Sequence, residues 1–105
     1  MARVVAVAPD LFFASKIEAM LRAAGHEVEL VAPAAAPERS ADVLIVDLDA
    51  AGTEVSGPAG VPRLGFFSHV DVETRRRAEE AGFDLVVPRS RMAREMPALV
   101  EGLLS

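Results

Sequence analysis

The sequence has no cysteine, no tryptophan and no tyrosine, and its five aromatic residues are all phenylalanine. Without thiols there is no disulfide, no thiolate metal centre and no cysteine nucleophile. Long apolar runs are missing too: none approaches the roughly 18 residues of a membrane span. Met1-Ala2-Arg3 leads straight into Val4-Val5-Ala6-Val7-Ala8, too short and wrongly flanked for a signal peptide. A cytoplasmic protein without a membrane partner is expected. Basic residues are the minority, 11 against 16 acidic, for a net charge of −5. A phosphate-coated nucleic acid is repelled by most of such a surface, so no nucleic-acid partner is expected.

Further absences bear on chemistry. No glycine-rich phosphate loop follows the first apolar run, where Ala8-Pro9-Asp10 stands instead, and this counts against nucleotide binding. Ser15, Ser56, Ser68 and Ser90 lack the surroundings of a hydrolase nucleophile. Neither His26 nor His69 has a second histidine or a carboxylate at ligand spacing, and both read as loop residues. The expectation is a protein with no catalytic residue, no metal and no cofactor.

What is present suffices for one globular domain over residues 1–105. The chain is 51% hydrophobic and 26% charged, and its length supports a single core. Short Val/Ile/Leu runs alternate with stretches of helical period, which predicts a parallel sheet with covering helices. The strands are predicted at Arg3 to Ala8, Glu27 to Val31, Val43 to Leu48, Arg63 to Ser68 and Asp84 to Val87, the last closed by Pro88. The first and third are nearly continuous apolar runs and belong in the centre. The second alternates charged and apolar residues and suits an edge.

Phe13, Ile17, Met20, Leu21 and Ala24 make one apolar helical stripe, with Asp10 as N-cap and Gly25 as the stop. Asp71 to Ala81 predicts a charged helix with Glu73/Arg77, Arg75/Glu79 and Arg76/Glu80 pairs four apart, so that the run Arg75-Arg76-Arg77 is a neutralised, solvated face. Met96, Leu99, Val100, Leu103 and Leu104 predict a last helix with Pro97 in its first turn, preceded by a separate lead-in turn over Ser90 to Glu95.

Two connections are thin. Ala32 to Ala41 carries two prolines and has room for about two helical turns, and Asp49 to Gly60 has three glycines, one proline and no helical stripe. A parallel crossover needs about a dozen residues, so the second connection is predicted to lack a proper helix. One face of the sheet is then undercovered. Either the Gly/Pro-rich loop lies across it, pinned by Val55 and Pro58, or another chain does; a partner contact or a homodimer is expected here or at the last helix.

Four segments carry a resemblance: Phe12 to Val28 ending Leu-Arg-Ala-Ala-Gly-His-Glu-Val, then Asp42-Val-Leu-Ile-Val-Asp-Leu, then Val61-Pro62 before a strand, then Ala78-Glu-Glu-Ala-Gly-Phe-Asp-Leu-Val. In that order and spacing the chain resembles the receiver domain of bacterial response regulators over nearly its whole length. The resemblance implies a flavodoxin-like α/β sandwich with a five-stranded parallel sheet of order 2-1-3-4-5, a short second helix and a reduced or missing third. Its functional edge lies at the carboxyl ends of the strands.

Receivers use two acidic residues after the first strand for Mg²⁺, an aspartate ending the third strand to accept phosphate, a Ser or Thr ending the fourth and a lysine ending the fifth. Metal and lysine neutralise phosphoryl oxygens while the aspartate attacks. Here the acidic pair falls on Ala8 and Pro9, with Asp10 one place late. Asp47 matches the phosphoacceptor position, and Asp49 follows on the same side. The hydroxyl position falls on Phe67, with Ser68 beside it, and the lysine position on Arg89. The resemblance therefore implies a degenerate, or pseudo, receiver in which Asp47 pairs with Arg89 across the top of the sheet.

Phe13 and Phe66 are expected in the core, while Phe12 and Phe67 either plug the vacated metal pocket with Pro9 or offer an apolar anchor. The expected role is a stand-alone, phosphorylation-independent interaction module of two-component signalling, passing its state to another signalling protein. Two alternatives stay open at this point: an atypical receiver phosphorylated on Asp47, and a small enzyme or ligand-binding module using Asp47, Asp49, His69 and Arg89 at the strand ends.

Overall fold

In the computed structural model, residues 1–68 and 72–105 are described; His69, Val70 and Asp71, and with them the proposed role of His69 and the first residue of the charged helix, lie outside the described residues. Five parallel strands, β1 (Arg3–Val7), β2 (Glu27–Leu30), β3 (Val43–Asp47), β4 (Arg63–Phe67) and β5 (Leu85–Pro88), form one sheet of order β2-β1-β3-β4-β5. The largely apolar β1 and β3 pair in the centre, Ala6 against Ile45, and the alternating β2 takes one edge. This is the sheet that the sequence implies, with strand ends shifted by a residue.

The period-two alternation of the strands divides the core. Val4, Ala6, Ile45, Leu64, Phe66 and Val87 point to one face, under Ile17 and Leu21 of α1 (Leu11–Ala23) and Met92, Met96 and Val100 of α4 (Arg89–Leu104). Val5, Val7, Leu44, Val46, Phe67 and Val86 point to the other, under Leu48 of α2 (Leu48–Ala51), Ala78 of α3 (Val72–Glu80), Phe83, Ala36 and Val55. Helix α1 starts on the Asp10 carboxylate and stops where Gly25 takes a φ of 93°. There the Gly25 and His26 N–H groups donate to the Arg22 and Leu21 carbonyls, at 3.0 and 2.9 Å, the paired bonds of a glycine-terminated helix.

The thin connections are short, as expected. Pro33–Glu38 is a 3₁₀ segment and α2 is a single turn. The second face is nevertheless covered by the chain itself. Val55 is buried, and Gly57 lies so close to the sheet that a Cβ there would stand 2.8 Å from Leu44 Cδ2. Val5, Val7, Leu44 and Val46 have no exposed surface. Arg63 ties this loop down, donating to the Val55 carbonyl at 2.8 Å and to that of Ala81 while its guanidinium lies 4.6 Å over the Phe83 ring.

One expectation needs correction. The lead-in turn over Ser90 to Glu95 does not exist, because α4 is one helix of 16 residues with Pro97 in its interior. An interior proline costs about 3 kcal/mol, but a continuous helix places Met92 and Met96 at zero exposure, and each such side chain gains roughly 1.5–3 kcal/mol on burial. His26 lies in the loop between α1 and β2, as expected, and is buried there. It is 9% exposed, and its Nδ1 accepts the Ala2 N–H at 3.1 Å, joining the start of β1 to the start of β2.

Candidate functional site at the carboxyl edge of the sheet

The parallel arrangement brings the ends of β1, β3, β4 and β5 to one edge, and with them Asp10, Asp47, Asp49, Ser68 and Arg89. Asp47 ends β3 and is 1% exposed. Its register partner on β4 is Phe66, which in turn pairs with Val87 on β5, one residue before Pro88 and two before Arg89.

Asp10 and Asp47 do the same two jobs. The Oδ1 of Asp10 accepts the N–H groups of Phe12 and Phe13 at 3.0 and 3.4 Å and caps α1; the Oδ1 of Asp47 accepts those of Asp49 and Ala50 at 3.1 and 3.3 Å and caps α2. Each carboxylate then turns its Oδ2 to Arg89. Nη1 is 3.2 Å from Asp10 and Nη2 is 3.2 Å from Asp47. One guanidinium thereby joins the starts of α1, α2 and α4. The Arg89 hydrogen bond, with the Phe12 and Phe13 N–H groups behind it, holds the Asp10 carboxyl below its ordinary value.

Beneath the guanidinium lie two rings. Its carbon is 4.6 Å from the Phe13 centroid and 5.5 Å from that of Phe66, and the rings themselves are 4.8 Å apart. A planar, weakly hydrated cation suits an aromatic bed in a way that an ammonium does not. Arg89 Nε is buried with no acceptor among the described residues.

The other positions separate. Asp49 is exposed and does not reach Arg89 among the described contacts; its Oδ2 accepts the Ser68 N–H at 2.6 Å and ties the end of β4 to α2. Phe67, expected at the edge, is 4% exposed in the opposite core and plugs nothing. Phe12 does not plug the pocket either, being 91% exposed beside Leu11 at 78%. Ala8 is packed in the core and Pro9 is exposed.

The receiver resemblance implies Mg²⁺, and the donor set does not fit it. Ala8 and Pro9 offer no side-chain ligand, and both oxygens of Asp10 and of Asp47 are already engaged by N–H groups and one shared guanidinium. Mg²⁺ needs near-octahedral oxygen ligands and retains several waters, whereas this seat is already filled by a cation and floored by two phenyl rings.

The sequence pointed to the Asp47–Arg89 pair, and the structure forms it. It pointed less clearly to Asp10, which serves both as cap and as second arm of the latch. The aromatic bed under Arg89 and the Asp49–Ser68 tether were missed: a phenylalanine on an apolar stripe reads as core filling, and a side-chain bond to a backbone N–H leaves no pattern in sequence. Two clefts lie elsewhere. One of about 480 Å³ is lined by Arg3, Arg22, His26, Glu27, Val28 and Glu29, and one of about 440 Å³ lies beside α2 and α3; neither includes Asp10, Asp47 or Arg89.

No protein-family model matches the sequence, and no curated protein sequence matches it. Solved structures do. NtrX from Brucella abortus, in a complex with ADP, matches with a TM-score of 0.84 at 18% identity over 98% of this chain. A response regulator receiver protein from Burkholderia phymatum matches with 0.79 at 22% identity, covering 99% of this chain and 95% of its own. A CheY-like response regulator from Mesorhizobium loti gives 0.75 at 14% identity, with 96% and 97% covered. This chain spans about a quarter, 26%, of the NtrX chain. At these identities the likeness is one of fold, and the fold of this chain is that of a response regulator receiver domain.

Proposed function

We propose that the chain is a pseudo-receiver of bacterial two-component signalling: a cytoplasmic, non-enzymatic interaction module whose state does not depend on phosphorylation. The observation that carries this reading is the Arg89 guanidinium, 3.2 Å from both Asp10 and Asp47. Phosphoryl transfer to a carboxylate draws on cations that neutralise the phosphoryl oxygens while the nucleophile attacks. Here the nucleophile itself holds the only cation bonded to it among the described residues, and the metal positions carry Ala8 and Pro9.

The response side of a receiver is altered as well. Ser68 is bonded through its N–H to Asp49, and the Phe67 side chain belongs to the far core. A fixed edge of this kind is read by contact. Leu11 and Phe12 stand 78% and 91% exposed next to the latch, an apolar pair suited to a protein partner, either another signalling protein or a second copy of this chain. Light scattering at high concentration separates those two.

The deciding experiment is intact-mass analysis after treatment with acetyl phosphate and Mg²⁺. The expected result is an unmodified chain. A stable adduct of one phosphoryl group, absent in Asp47→Asn, supports the atypical receiver instead and ends the proposal.

A further inference from the structure

Two polar residues are buried among the described ones: Asp47 at the carboxyl edge and, at the opposite end of the sheet, His26 at 9% exposure. The imidazole stands just before β2, and its Nδ1 accepts the Ala2 N–H at 3.1 Å. A ring nitrogen that accepts carries no proton, so the neutral ring holds its proton on Nε2, which is buried with no partner among the described residues. Ala2 is gripped from its other side as well, since its carbonyl accepts the Glu27 N–H at 2.9 Å. The His26 N–H closes α1 on the Leu21 carbonyl at 2.9 Å. One residue thus joins the end of α1 to the starts of β1 and of the edge strand β2.

We infer that His26 is an acid-released clamp: the neutral ring holds the start of β1 against that of β2, and the protonated ring lets go. Imidazolium donates from both nitrogens and accepts at neither. An Nδ1–H would point at the Ala2 N–H, donor against donor, while Nε2–H already lacks an acceptor. The charged groups around the ring do not offset this. Arg3 of β1, Arg22 of α1 and Glu27 and Glu29 of β2 line one cleft with it, two cations and two anions. Glu29 is engaged by Arg3 at 3.4 Å and by Arg39 at 3.8 Å, and Arg22 by Glu18 at 2.9 Å. No carboxylate pairs with the ring among the described residues. The clamp therefore asks for a neutral ring, and imidazole is the side chain that changes charge between about pH 5 and 8. Its release frees the edge strand at the end of the sheet away from Asp47 and Arg89, so the inference goes beyond the proposed function and does not lean on it.

The test is amide hydrogen exchange of the full chain by NMR from about pH 7.5 down to about pH 5, with the His26 ring read in the same samples through its nitrogen shifts. The Asp10 and Glu73 carboxyls, both held low, titrate beneath this range. Rates are divided by those of an unstructured amide at each pH. The natural chain is expected to show the Nε2–H tautomer at pH 7.5 and, as the ring charges, a fall of about tenfold in the protection of the Glu27 N–H. His69→Gln, which leaves His26 as the one histidine of the two, is expected to behave alike. His26→Asn keeps an acceptor near the Nδ1 position and does not titrate, so its Glu27 protection is expected to stay constant; His26→Gln is the second such variant should the first not fold. Four results overturn the inference: an Nδ1–H tautomer at pH 7.5, a ring still neutral at about pH 5, Glu27 protection unchanged once the ring has charged, or the same loss of protection in a folded His26→Asn or His26→Gln chain.

Discussion

Asp47 and Arg89 meet through an Nη2 to Oδ2 contact of 3.2 Å, with the carboxylate 2% exposed and the guanidinium 29%. Removing one partner of a buried pair leaves a charge without compensation, which costs about 3–5 kcal/mol. The exposure of Arg89 and the two backbone N–H bonds that remain on Asp47 place Arg89→Met near the lower end, about 3 kcal/mol in Mg²⁺-free buffer. Urea unfolding of Asp47→Asn, Arg89→Met and the double variant measures it. The expected coupling exceeds about 1 kcal/mol; additivity within about 0.5 kcal/mol would mean that the contact does not hold the edge together.

The acid limb of stability reports on Asp10. Its folded-state carboxyl lies below its ordinary value of 3.8, because the Arg89 hydrogen bond, then those from the Phe12 and Phe13 N–H groups, favour the charged form. A group depressed on folding contributes stability that is present above its unfolded pKa and is lost as pH falls through its folded pKa. Stability is therefore expected to fall from about pH 5 downward. Asp10→Asn should flatten that fall, and Glu73→Gln should flatten it separately, since Arg76 holds the Glu73 carboxyl low on α3. Denaturant midpoints taken across the acid range check this; an unchanged slope in Asp10→Asn contradicts it.

How far the sequence reached depends on the kind of signal. Val43 to Val46 and Val4 to Val7 announce central strands because a strand buried on both faces must be apolar at every position. Asp10 and Gly25 announce the ends of α1 because capping chemistry is local. The Asp47–Arg89 pair was legible only through the order of segments, which set strand ends side by side. What one dimension hides is orientation and tertiary override. Phe66 and Phe67 are neighbours in sequence, yet the pleat sends one under Arg89 and the other into the opposite core. Pro97 marks a helix start by local rule, and the buried Met92 and Met96 overrule it. His26 is the loop residue that the sequence implies, but its burial stayed hidden because its bond to the Ala2 N–H spans 24 positions.

The loop that covers the second face is held at close range by Gly57. A Cβ there would meet Leu44 Cδ2 at 2.8 Å, with the Leu44 side chain fully buried between Val5, Val46 and the loop. Gly57→Ala forces either a Leu44 rotamer change or a lifting of the loop, an overpacking that costs typically about 1–3 kcal/mol. Amide hydrogen exchange separates the two outcomes from a neutral one. Faster exchange at the Leu44 N–H, which donates to the Pro62 carbonyl at 3.0 Å, is expected along with the lower stability. Full stability with unchanged protection would show that the loop does not press on the sheet.

Pro97 sits in the interior of α4, where its nitrogen carries no hydrogen and the Ala93 carbonyl four residues back has no helical donor. Pro97 is only half-buried, while Met96 before it and Leu99 and Val100 after it hold the helix on the core. Substitution by alanine leaves that buried stripe intact, restores one helical hydrogen bond and removes the ring's clash with the preceding turn. The unfolded chain becomes freer, which offsets part of the gain, by roughly 0.4–1 kcal/mol. Since an interior proline costs about 3 kcal/mol relative to alanine, Pro97→Ala is expected to stabilise by about 2 kcal/mol and to raise the melting temperature by roughly 8 °C or more. A fall in melting temperature would mean that the half-buried proline ring contributes more by its packing than the restored hydrogen bond returns.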